Sequence, residues 1–212
     1  MLRPLRLIAL VSVLALAAAS IGAPARGAAD LLARMIALNP HLNSYQASIH
    51  ADIVMHSFPF LAPSLDGTFY HKEPSKDKLV FTGGLPGIGK EFSKIYPHID
   101  SPSQWKQVYV VSIVGDDGTS TTFRLVPRKH GRVDHLDAVV DDKTATISSM
   151  RWDYNDSGYA DLHQTYRQVN GNYLVDKQSG HFERPGYNGD ATSTFTDFKL
   201  NPALTDDFFN QD

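Results

Sequence analysis

Cysteine is absent from all 212 residues. That excludes disulfides, thiolate metal sites, cysteine nucleophiles and any lipid anchor carried on an N-terminal cysteine, so the fold must rest on its core alone. A strong charge of one sign is absent too. Twenty Lys and Arg stand against 23 Asp and Glu, for a formal charge of −3. Such a balance argues against binding a polyanion over a broad face, and so against nucleic acid as a partner. Internal repeats and low-complexity segments are missing. No H-E-x-x-H helix and no G-x-S-x-G elbow occurs.

Long apolar runs are missing as well, with one exception at the start. A short basic stretch, Met1-Leu2-Arg3-Pro4-Leu5-Arg6, precedes an almost wholly apolar run over 7–19. Small residues follow, with Ala23-Pro24-Ala25 and Ala25-Arg26-Gly27 as cleavage sites. The pattern is that of a signal peptide over 1–25, cut after Ala25 or Gly27. The run falls short of the ~20 residues of a membrane span. The expectation is a protein that is soluble after cleavage and works in the periplasm or another extracytoplasmic space. Residues 26–212 then form one domain of about 187 residues, ample for a sizeable core, with a charge near −5 once Arg3 and Arg6 are gone.

What the chain has in quantity is alternation. Residues 30–38 read as a helix capped by Asp30, with Leu31, Leu32, Met35 and Ile36 at helical spacing, stopped by Asn39-Pro40. The period then becomes two. Tyr45, Ala47, Ile49, Ala51, Ile53 and Met55 alternate with Gln46, Ser48, His50, Asp52, Val54 and His56, which describes a long strand with one apolar face. Further strands are expected over 65–72 and 78–82. The stretch 83–105 breaks the pattern with four glycines and three prolines. It reads as a mobile flap with a short helix over 90–96. From Val108 a meander follows, punctuated by turn signals at Gly115-Asp116-Asp117-Gly118, Lys129-His130-Gly131, Asp141-Asp142-Lys143, Asn155-Asp156-Ser157-Gly158, Asn170-Gly171 and Pro185-Gly186. Asn170-Gly171 is the strongest, because a type I′ turn needs positive φ at both central residues. Strands of about ten residues in sequence must twist and curl. The fold class expected is mainly β with α: a long antiparallel meander curled into an unclosed β-barrel, with an N-terminal helix and a short helical lid. The tail 206–212 reads as a fraying end.

Nine histidines invite a metal or catalytic reading. His135 and Asp137 share a strand face, and His50 and His56 sit on the polar face of the first strand, but no third ligand follows by spacing. They read as solvated strand histidines, and no metal, cofactor or catalytic residue is assigned. Gly84-Leu85-Pro86-Gly87-Ile88-Gly89-Lys90 resembles a phosphate loop only superficially, since Glu91 follows the lysine. Asp116-Asp117 and Asp141-Asp142 fit turn geometry better than calcium binding. The apolar loop Phe58-Pro59-Phe60-Leu61 and the cluster Phe69, Val80, Phe81, Leu85, Ile88, Phe92 carry more information. A curved sheet under an apolar flap encloses either a dry core or a ligand cavity.

The order of these features resembles the LolA/LolB-like superfamily of periplasmic lipoprotein and lipid carriers. The helix followed by Ser44-Tyr45-Gln46-Ala47-Ser48-Ile49 resembles the family's opening. Gly67-Thr68-Phe69-Tyr70-His71-Lys72-Glu73-Pro74 resembles its second-strand end, and Thr122-Phe123-Arg124-Leu125-Val126-Pro127 a later strand. The resemblance implies an unclosed barrel with a helical lid around a cavity for the acyl chains of a lipid or lipoprotein. It implies membrane-bound donor and acceptor proteins and no covalent chemistry. Ile49, Ile53, Met55, Phe69, Val80, Ile88 and Phe92 are the expected cavity or lid residues, in a protein read as a monomer. One departure stands out: the family's lid-latching arginine before the proline is replaced by Glu73, so that latch is not carried over. The alternatives are an envelope sensor or protein-interaction module on the same fold, an exported hydrolase, and an outer-membrane barrel.

Overall fold

The structure, a computed structural model, describes residues 27–58, 60, 62–83 and 99–210. The proposed signal peptide, the expected helix over 90–96, and Ile88 and Phe92 lie outside the described residues.

Helix α1 spans Ala28–Ile36. It starts two residues earlier than the periodicity predicts. Asp30 is therefore not the cap; it lies in the first turn, where a carboxylate complements the helix dipole, and its own N–H bonds to the Gly27 carbonyl at 2.8 Å. Ten strands follow: β1 Ser44–Met55, β2 Ser64–Lys72, β3 Lys76–Phe81, β4 Tyr109–Asp116, β5 Ser120–Pro127, β6 Val133–Asp141, β7 Ile147–Tyr154, β8 Tyr159–Val169, β9 Asn172–Arg184 and β10 Tyr187–Leu200. A one-turn helix α2, Trp105–Val108, precedes β4, and α3, Asp206–Asn210, ends the described chain.

All ten strands form one antiparallel sheet in the order β3-β2-β1-β10-β9-β8-β7-β6-β5-β4. Each strand pairs with its sequence neighbour except where β10 returns to β1. The edges β3 and β4 do not pair with each other, so the barrel is unclosed, as the meander implies. Asn170 and Gly171 both take positive φ and join β8 to β9 in two residues, the twist-matched turn expected there.

Because side chains alternate along every strand, the register sorts them into cross-strand rows. On the inner face one row reads Met55, Gly189, Phe182, Ala160, Trp152, Leu136, Leu125 and Val111. Leu31, Leu32 and Met35 of α1 pack onto this face, with Trp105 of α2 and Phe123 fully buried among them. Gly189 is part of the packing: a Cβ there would meet the Val54 carbonyl at 2.6 Å and Cζ of Phe182 at 2.8 Å, so the absent side chain is where the Phe182 ring sits. On the outer face a parallel row reads Asp190, His181, Asp161, Arg151, Asp137 and Arg124, alternating acid with base across six strands. An open sheet with this charged row on its outer face does not fit an outer-membrane barrel, which needs closure and an apolar lipid-facing belt.

The tail differs from expectation. Residues 206–210 are helical and docked. Lys72 and Lys76 each place Nζ 2.7 Å from the Asp206 carboxylate, Lys78 Nζ donates to the Phe208 carbonyl at 2.8 Å, and the Phe208 ring packs edge-on against Tyr70 at 4.7 Å. The lysines on β2 and β3 supply the cations that a fraying end would lack, and they hold the Asp206 carboxyl down to about 2.

Candidate functional site

The hairpin connections fall at two ends of the strands. At one end lie the loop after β1, the β9–β10 turn, the β7–β8 turn, the β5–β6 turn and helix α2. Here the inner face opens into a cavity of about 580 Å³, within the ~300–1,000 Å³ usual for small-molecule sites. Its apolar wall comes from Val108, Tyr109, Val133, Leu136, Trp152 and Tyr154, the inward-facing residues of α2, β4, β6 and β7. Its mouth is basic, with Arg128, Lys129 and Arg132 from the β5–β6 turn and Arg184 from the end of β9.

Asp100 fixes two of the polar groups at this end. Tyr109 Oη donates to Asp100 at 2.5 Å, and Trp105 Nε1 donates to the Asp100 carbonyl at 2.9 Å. Burial, followed by the bond to Asp100, pushes the Tyr109 phenol well above its usual range, so it stays a neutral donor. Arg184, nearly buried, bonds to Asp156 and lies 4.4 Å over the Tyr154 ring. The arrangement is an apolar wall with a cationic lip.

Four of the residues expected from sequence fall elsewhere on the same inner face, whereas Val80 sits in the row of Thr68 and Ser48 on the opposite face. Ile53 and Met55 lie in the main core with α1. Ile49 packs with Ala47 and Phe195, and Phe69 meets Phe195 edge-on at 5.7 Å. Val80 is exposed on β3. The structure thus brings Ile49 and Phe69 together and keeps Val80 apart, and none of the five lines the cavity. The pocket residues were missed because they come from four elements and show no local pattern. The one local signal was Arg128-Lys129-His130-Gly131-Arg132, a dense basic run in an acidic chain.

Glu73, at the position of the family's arginine, is engaged in a different way. It accepts from Ser101 Oγ at 3.0 Å and lies 3.4 Å from His71 Nε2, while His71 Nδ1 sits 2.6 Å from Asp77. Ser75 Oγ receives the Ser101 N–H at 2.6 Å. The β2–β3 turn thereby holds the chain at Ser101, where it leads into α2. Burial lowers the His71 pKa, but the bonds and charges of Asp77 and Glu73 outweigh it and lift it to about 9. The reciprocal bond from His71 lowers Glu73.

The histidines expected on the polar face are there. His56 Nε2 and His181 Nδ1 each lie 2.7 Å from a different oxygen of Asp190. These three residues offer ligand atoms within 4.8 Å of one another, a donor set of the kind divalent zinc accepts. His135 Nε2 lies 4.0 Å from the Asp137 carboxylate, which is itself held by two bonds from Arg124, and His135 also faces Asp134 and Asp153. The Asp117 and Asp141 carboxylates accept backbone N–H groups of their own turns, the structural role expected of them.

An open antiparallel sheet curled over an apolar face, with a helix laid on it, is the LolA-like unclosed-barrel fold. Solved structures share it over most of the chain. A DUF1329 family protein from Desulfovibrio piger matches with a TM-score of 0.60 at 13% identity, covering 85% of this chain and 94% of that one. A putative outer membrane lipoprotein-sorting protein domain from Vibrio parahaemolyticus matches at 0.61 and 8%, covering 85% and 95%. A LolA superfamily protein from Nitrosomonas europaea matches at 0.60 and 10%, covering 88% and 99%. At these identities the likeness is one of fold. No sequence family and no curated protein matches the chain. Among the described residues, no helix is long and apolar enough to cross a membrane.

Proposed function

We propose that this protein is a periplasmic carrier or binding protein that holds the acyl chains of a lipid or lipoprotein on its apolar inner face, without covalent chemistry. The observation that carries this reading is the cavity of about 580 Å³ walled by Leu136, Trp152, Tyr154, Val133 and Tyr109 on a LolA-like sheet. Each CH₂ taken from water contributes ~0.8 kcal/mol, so a single chain of ordinary length binds by burial alone. In this proposal Ile49, Ile53, Met55 and Phe69 form a second stretch of wall on the inner face, and Ile88 and Phe92 keep the lid role expected of them. Phe58, Phe60 and Tyr187 are exposed at the pocket end, with the Phe58 ring in contact distance of the other two. They suit contact with membrane-bound donor and acceptor proteins.

Native mass spectrometry of the processed protein, purified from the cell envelope without detergent and then extracted with organic solvent, tests the proposal. A stoichiometric lipid or acylated peptide is the expected result. A protein that is empty and also takes up no added lipid would overturn the carrier reading in favour of an interaction module on the same fold.

A further inference from the structure

The arginines on the sheet strands follow one rule: each has an aspartate. Arg124 pairs with Asp137, Arg151 with Asp153 and Asp161, Arg167 with Asp176 and Arg184 with Asp156. The β5–β6 turn breaks that rule. Arg128, Lys129 and Arg132 are exposed, lie within five residues, and make no ion pair among the described residues. Arg128 Nε reaches only the Lys106 carbonyl, at 3.3 Å. All three line the cavity mouth. Two carboxylates are near. Asp100 lines the cavity and binds Tyr109, and Asp156 binds Arg184.

Three cations in one tight turn, with no ion pair among the described residues, repel one another. They are matched by a ligand that brings the missing negative charge to the lip of an apolar wall. We infer that the cavity takes an anionic amphiphile: a single-headed or phospholipid-like molecule with its acyl chain against Leu136, Trp152 and Tyr154 and its phosphate or carboxylate among Arg128, Lys129 and Arg132. The inference rests on the carrier reading and adds to it the charge of the cargo's head. Guanidinium groups bind such oxyanions in paired, charge-assisted bonds, whereas a zwitterionic head brings its own cation into the cluster.

The tryptophan count makes the test direct. Of two tryptophans, Trp152 lines the cavity and Trp105 is fully buried in the core. Intrinsic fluorescence is followed during titration with lysophosphatidylglycerol, with lysophosphatidylcholine of the same chain, both below their micellar concentrations, and with inorganic phosphate. The full chain after signal cleavage is compared with the triple variant Arg128→Ala, Lys129→Ala, Arg132→Ala, whose changes lie in an exposed turn. The expected result is that the wild type binds the anionic lipid about tenfold tighter than the zwitterionic one. The variant loses that preference, and phosphate alone does not bind. Equal affinity for both lipids in the wild type, or a preference that survives in the variant, overturns this inference and leaves acyl carriage standing. Phosphate binding as tightly as the anionic lipid overturns it too, in favour of a free-anion site. Failure of both lipids to bind removes the carrier reading itself.

Discussion

His71 shows how one residue sets a working range. Its pKa of about 9 lies above the unfolded value of 6.5 because Asp77 and Glu73 favour the charged ring. A pKa raised on folding contributes stability that is fully present below about pH 6.5 and disappears as pH rises through 9. The lowered Glu73 carboxyl reports the same interaction from the other side: its share is present above its unfolded pKa and lost as pH falls through the folded one. The attachment of Ser101 to the β2–β3 turn is therefore strongest between these limits. Urea denaturation from pH 6 to 10 should show wild-type stability falling by on the order of 2 kcal/mol, with His71→Gln nearly flat over that range. A variant with the wild-type slope would mean another group titrates there. The pairing of His71 with Asp77 follows from hairpin register and was within reach of the sequence. The bond to Ser101 was not, because nothing in the sequence predicts how the chain returns after 84–98.

The elements divide by what forms them. The long strands were legible because alternation over eight to fourteen residues is a property of the local sequence, as in β1 with its buried Ala47, Ile49, Ala51, Ile53 and Met55. The short helices were not. Four residues from Trp105 and five from Asp206 cannot hold a helix alone, since nucleation is costly. Helix α3 exists because Lys72, Lys76 and Lys78 wait for it on a distant hairpin. Phe208→Ala removes the ring that packs on Tyr70 and lies under Lys78, at 4.9 Å. This change should cost about 1–2 kcal/mol and speed amide hydrogen exchange in β2 and β3 while leaving β6 and β7 unchanged. If β2–β3 exchange is unaltered, α3 is only resting on the sheet. The candidate pocket was illegible for the same reason as α3: its wall is assembled by register across β4, β6 and β7, and only its basic turn was written in one place.

The whole molecule has a direction, set by where its turns put their charge. β5 runs from the acidic turn at Asp116-Asp117 to the basic turn over 128–132, and β6 runs back from it to the acidic turn at Asp141-Asp142. Eight residues of strand separate the two by about 25 Å. A body with separated charge carries an electric dipole, and near a negatively charged surface it experiences a torque before it makes any contact. If these turns dominate the dipole, the pocket-bearing end turns toward that surface. The association rate with vesicles of anionic lipid should therefore fall steeply as salt is raised from 0.01 M toward ~0.15 M, where the Debye length shrinks to ~8 Å, while the rate with neutral vesicles stays level. A salt-independent rate would show that the dipole does no steering. With steering, the molecule is aimed on approach and its first collision is already the productive one.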